Sequence, residues 1–168
     1  MTAIASTRAI HVEASTQALR VAIRVAALAG GLLAGALVAV LLADITLRGD
    51  PAGYIAFHQA TTVLYTATLP ALGAVMAIAI VTSIAQHGPS RLLVPALICG
   101  ALGMLITVLV HFPLNATIMA WPVGVVPTDF TSVATQWLVA HLARTLLTIT
   151  SFVLVLTALA RVEHASAE

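Results

Sequence analysis

The sequence predicts an all-α integral membrane protein, a four-helix bundle with a partly structured outer loop between its third and fourth helices. Three observations predict it. Of 168 residues, 61% are hydrophobic and only 8% are charged, where a soluble domain carries about 25%. The mean hydropathy is +1.09. The apolar residues also fall into four segments long enough to meet a hydrocarbon core about 30 Å thick, which takes about 20 helical residues to cross.

The same composition excludes other classes. The net charge is +1 and no lysine is present, so every fixed positive charge is an arginine. That leaves no basic footprint for nucleic acid. Cys99 is the only cysteine, which rules out an intrachain disulfide and a cysteine-based metal cluster; within Ala96-Leu-Ile-Cys-Gly-Ala it reads as an inert core thiol. Residues 1–20 are rich in Ala, Ser and Thr and lack a compact apolar stretch after the start, so no cleaved signal peptide is expected. They read as a cytoplasmic tail. Residues 21–162 then form one transmembrane domain, and 163–168 a second short tail.

The first span is expected from about Val21 to Leu47, with Gly31 and Gly35 in small-xxx-small spacing that permits close helix packing or homo-oligomers. The second runs from about Tyr54 to Ala85, opened by Asp50-Pro51 and interrupted by Pro70. The third runs from Leu92 to His111, after the turn His87-Gly-Pro-Ser90, and Pro113 is expected to end it. The fourth is expected from about Val133 to Ala160. Arg8, Arg20, Arg24, Arg91 and Arg161 share one side of a four-span chain and only Arg48 falls on the other, so the positive-inside rule places both termini in the cytoplasm. His11, His87 and His164 fall on that side as surface residues.

The fourth span carries the most informative pattern, Trp137-Leu-Val-Ala-His141-Leu-Ala-Arg144-Thr145. The apolar run Leu146 to Ala160 is 15 residues, roughly 22 Å as a helix. The span must reach back to about His141, which draws Arg144 into or against the hydrocarbon. Ionisable groups at that depth usually face a bundle interior or an aqueous cavity. Counting about 20 residues from the cytoplasmic end of each span takes Arg24 to Asp44, Leu92 to His111 and Ala160 to His141. Three helices thus place an ionisable group at one depth. On the second helix His58, Thr61, Thr62 and Tyr65 share a face; by depth alone His58 joins the layer only if that helix tilts or kinks at Pro70. Asp44 and Arg144 could simply neutralise one another, His111 could cap a helix end, and Trp137 could be an interfacial belt residue. The connection Phe112 to Ser132, with Phe112, Trp121, Pro122, Pro127 and Phe130, reads as an apolar cover over the layer.

Pro113-x-Asn115 after the third span and Trp137-x6-Arg144-Thr145 in the fourth, in a four-span chain of this length, resemble the anthrone-oxygenase-like family of small membrane proteins. The resemblance covers about Ala26 to Ala160. It implies oxidation of an anthrone-like aromatic with dioxygen as co-substrate; a bacterial inner membrane is the expected location. Asn115, Trp137, Arg144 and Thr145 match the family pattern; His141 departs from it, because many members have Asn there.

The residues suit that chemistry. A neutral imidazole can take the acidic proton of an anthrone methylene, and Arg and Asn can hold the resulting charge. His58, His141, Arg144 and Asn115 are therefore the catalytic candidates, with Tyr65, Trp137, Thr145 and Asp44 lining the substrate site. No cofactor is the default. An alternative is a metal or haem redox protein, with His58, His111 and His141 as ligands. Another is a non-enzymatic membrane partner or small-molecule carrier, with Asp44 and Arg144 as a structural pair.

Overall fold

The computed structural model describes residues 2–122 and 124–164, with side chains from residue 16 onward. The side chains of Arg8 and His11, and the tail beyond His164, lie outside the described residues. The chain forms helices α1 (Thr2–Leu47), α2 (Pro51–His87), α3 (Leu93–Ile106), a single π-helical turn (Thr107–His111), α4 (Phe112–Ala120) and α5 (Phe130–His164). Taking α3, the π-turn and α4 as one rod, four helices are long and apolar enough to cross a membrane: Thr16–Leu47, Pro51–His87, Leu93–Ala120 and Phe130–His164. Large apolar side chains such as Leu28, Leu42, Val63, Ile78, Leu109, Val139 and Leu146 point outward from all four. In water such a surface would aggregate; against lipid it is the expected exterior.

Short connections force neighbouring helices antiparallel. Asp50 stops the first hairpin by accepting a hydrogen bond from the Gly53 backbone at 3.1 Å, with Pro51 in the first turn of α2 where its missing N–H costs nothing. At the opposite end Ser90 Oγ accepts from Leu92 N at 3.2 Å to start the third rod. There Arg24 pairs with Glu163 at 2.9 Å, bringing the start of α1 to the end of α5.

The third span does not stop at His111. The helix passes through Pro113 and continues to Ala120. Pro113 falls in the first turn of α4, directly after the π-turn, where the ladder has already been shifted and a missing N–H does less harm. The expected 112–132 loop therefore shrinks to residues 121–129. Its aromatics do turn inward: Trp121 and Phe130 are buried with Tyr54, Ile118 and Trp137. Gln59 fastens this end, its Nε2 donating to the carbonyls of Ile118 and Trp121 at 3.0 Å each.

Two packed regions result. One, around Ile23, Ala26, Met76, Ile80, Leu93 and Val155, closes the Arg24 end. The other, around Tyr54, Trp121, Phe130 and Trp137, closes the opposite end. α1 reaches the first through small residues: a Cβ on Gly30 would lie 3.0 Å from Met76 Sδ, and one on Gly31 would lie 3.2 Å from the Phe152 ring. Gly31 thus serves packing within the chain, whereas Gly35 faces open space. Between the two regions the helices stand apart and leave a cavity.

Candidate active site

α5 supplies one wall. Trp137, His141, Arg144, Thr145, Thr148 and Ser151 follow three- and four-residue steps along its buried face. Arg144 is 9% exposed. Its Nη2 donates to His141 Nδ1 at 2.7 Å and its Nη1 to Thr107 Oγ1 at 3.3 Å, while its Nε has no partner. Among the described residues no carboxylate pairs with it. Asp44 instead pairs with Arg48, Oδ2 to Nε at 3.2 Å, one helical turn away on α1. The expectation that Asp44 and Arg144 neutralise one another is thus not met, and a buried guanidinium keeps its charge uncompensated. That is costly unless something else supplies an anion.

His141 is fully buried, with its two ring nitrogens committed. Nε2 lies 2.9 Å from the Leu37 carbonyl, which can only accept, so Nε2 carries the hydrogen. Arg144 can only donate, so Nδ1 carries the lone pair. These partners fix a neutral imidazole of one tautomer, bridging the α1 backbone to the guanidinium.

Trp137 is the hub. Its indole stacks on the His141 ring with centroids 4.6 Å apart, and meets the His58 and His111 rings edge-on at 4.6 and 5.1 Å. Its Nε1–H donates to Asn115 Oδ1 at 2.8 Å. Because an indole N–H can only donate, the Asn115 oxygen is identified and its NH₂ is left free for another acceptor. The three histidines surround the indole rather than a common point. Among the described residues, no group of three His, Cys, Asp or Glu is placed to hold a metal ion. The ligand set His58, His111 and His141 is not assembled: both ring nitrogens of His141 are already bonded, and Nε2 of His58 faces Asp44.

His58 does join the polar layer. It lies early in α2, is 3% exposed, and stacks on Tyr54 with centroids 4.2 Å apart. Its Nε2 is 3.5 Å from Asp44 Oδ1, longer than a formed hydrogen bond, and neither atom has another partner. Asp44 is fully buried, held by Arg48, which also donates to the Ala134 carbonyl. The depth count misplaces His58 because α2, at 37 residues or about 55 Å, is far longer than a hydrocarbon core of about 30 Å, so the end of the helix does not fix where the core begins.

The π-turn sets the facing wall. Thr107 donates to the Gly103 carbonyl at 3.0 Å and still accepts from Arg144. His111 is 1% exposed and both of its ring nitrogens lack partners. π-turns of this kind recur at functional sites.

The cavity has a volume of about 330 Å³, within the range of small-molecule sites. His58, Tyr65, His111, Asn115, Trp137 and Arg144 line it, and His141, Asp44 and Thr145 do not. Thr145 is buried at 2% exposure, with an unpartnered hydroxyl outside the cavity wall. Sequence reasoning missed Thr107, Thr148 and Ser151, all of which line the cavity. The latter two follow Arg144 at helical spacing, a signal visible in the sequence. Thr107 had no such signal, because its reach to Arg144 depends on the π-turn.

A family model described as Anthrone oxygenase matches residues 55–154, more than half of the chain. No curated protein and no solved structure matches. The matched stretch contains every cavity-lining polar residue named above, and leaves out Asp44 and Leu37 on α1.

Proposed function

Because this chain belongs to the anthrone oxygenase family, we propose that it is a membrane-embedded oxygenase of apolar aromatic carbon acids, anthrone-like or quinone-like. The observation that carries the reading is Arg144: a buried guanidinium with no carboxylate partner, facing an apolar cavity beside His58, His111 and Asn115. A site built this way favours a ligand that becomes anionic inside it.

The reaction balances without an external reductant. His58, with the Asp44 carboxylate behind it, takes a proton from the ring methylene. The negative charge moves to the ketone oxygen across the ring, where Arg144 and the free NH₂ of Asn115 receive it. Dioxygen accepts an electron from the enolate, and the C–O bond forms to give a peroxide anion. His111, whose nitrogens are otherwise unpartnered, handles the proton that converts this to a hydroperoxide. Loss of the second methylene proton then breaks the O–O bond, forms the carbonyl and releases water. In sum CH₂ and O₂ become C=O and H₂O. His141 acts through Arg144 as a positioning residue: its fixed lone pair orients the guanidinium fork toward the cavity. Trp137 does the same for Asn115.

Proteoliposomes supplied with anthrone are expected to consume one O₂ for each anthraquinone formed, above the rate of protein-free liposomes. Binding of anthrone without added oxygen uptake would reject the oxygenase reading in favour of a carrier.

A further inference from the structure

The cavity is much longer than a compact three-ring substrate needs. On α2 its lining runs from Phe57 to Ile80, about 34 Å of helix. On α5 it runs from Trp137 to Ser151, about 21 Å. The polar groups gather at one end. From Arg144 onward the lining carries no ionisable group, and its two hydroxyls on α5 are spent on backbone carbonyls, Thr148 Oγ1 on Arg144 at 2.9 Å and Ser151 Oγ on Ala96 at 2.7 Å, down to a floor beside Ile80. That uncharged reach is about 10 Å along α5.

The groove also meets the lipid. Its wall along α2 and α3 includes Ala74, Gly100 and Ala101, which are exposed on the helix surface. Small residues at a membrane helix seam usually draw the backbones together. Here they leave room: a Cβ on Gly100 would meet only Ser151 Oγ, at 3.8 Å. A chain dissolved in the bilayer could enter sideways without crossing water.

We propose that the ligand is an amphiphile. Its head is an aromatic ring with an ionisable hydroxyl, seated at Arg144, His111 and Asn115, and its tail is an alkyl or isoprenoid chain lying along the α2–α3 groove to Ile80 and Ala96. The head assignment rests on the reading of Arg144 given above; the tail assignment rests on the length and lipid-facing side of the groove. The unpaired guanidinium selects the head, and the lipid-facing seam admits the tail without transfer through water.

The test uses a hydroquinone bearing a ten-carbon tail that ends in a photoreactive diazirine, with the tail-less hydroquinone as competitor, on the full chain in lipid nanodiscs. Photolysis is expected to place adducts at the floor of the groove on Ala77 and Leu97, which line it and are part-exposed. Ala101→Phe, which fills the groove from its lipid side, is expected to reduce those adducts at least tenfold. Gly100→Leu provides a second block should the first variant unfold. Adducts confined to lipid-facing side chains such as Ile78 and Leu109, or floor labelling unchanged in both blocked variants, would overturn the tail assignment. The two readings fail separately. Oxygen uptake without floor labelling leaves the oxygenase and removes the tail; floor labelling abolished by the block, without oxygen uptake, leaves the amphiphile site and removes the oxygenase.

Discussion

Arg144→Ala is expected to lower turnover by about 100- to 1000-fold, the usual loss when a donor to a developing oxyanion is removed, while leaving thermal stability nearly unchanged. The second half of the expectation separates function from structure. A guanidinium paired with a carboxylate would leave an orphaned buried charge when truncated, at a cost of about 3–5 kcal/mol. Among the described residues Arg144 has no such partner. Its removal takes an uncompensated charge out of a mostly apolar interior, which stabilises. It also strips the donor from His141 Nδ1, which costs about 1–3 kcal/mol. Thr107 keeps its bond to the Gly103 carbonyl and is little affected. The two effects oppose each other. Arg144→Lys should retain part of the activity, because it keeps the charge but loses the planar fork. Rates in proteoliposomes beside unfolding midpoints in the same lipid check both halves. Normal turnover in the Ala variant, or a large loss of stability, would make Arg144 structural.

His58→Ala should cost a comparable factor, about 100- to 10,000-fold, as expected for loss of a general base. The geometry behind this is the Asp44 carboxylate, fully buried and 3.5 Å from His58 Nε2. It holds a negative charge where an imidazolium would form, so proton transfer from the substrate is favoured at that ring. Asp44→Asn keeps the shape and can still accept from Arg48, so it should fold and give an intermediate loss. A substrate deuterated at the methylene checks the assignment. If His58 takes the proton, the isotope effect on turnover should grow in Asp44→Asn, because proton removal becomes the slower step. An isotope effect of one in that variant, with rates equal to the unsubstituted protein, would move the base to His111.

The helices and the polar layer were legible for the same reason. In a chain this apolar, every ionisable residue inside a span stands out, and the length of the span fixes its depth. Asp44, His111, His141 and Arg144 come from that count. The count failed for His58 because it assumes a helix of bilayer length, and α2 has 37 residues, so its end does not mark the edge of the hydrocarbon. Pro113 misled for a local reason: proline disfavours helix in its neighbour, but a preceding π-turn removes the conflict, and no sequence rule announces that turn. The Asp44–Arg48 pair was readable, being one helical turn apart, and it answers why Arg144 is left alone. The role of Trp137 as the shared neighbour of three histidines was not readable, since it depends on how four helices face one another. Nor was the tautomer of His141, which is set by the backbone carbonyl of a different helix.

In the proposed reaction Arg144 and its surroundings stabilise an anion formed from an aromatic substrate that then reacts with dioxygen. Labelling with ¹⁸O₂ tests it most directly. Proteoliposomes given anthrone under ¹⁸O₂ are expected to yield anthraquinone with one labelled oxygen and an equal amount of labelled water, at a rate that Arg144→Ala reduces to the protein-free background. Label entering the product at the same rate with wild type, Arg144→Ala and empty liposomes would contradict the account.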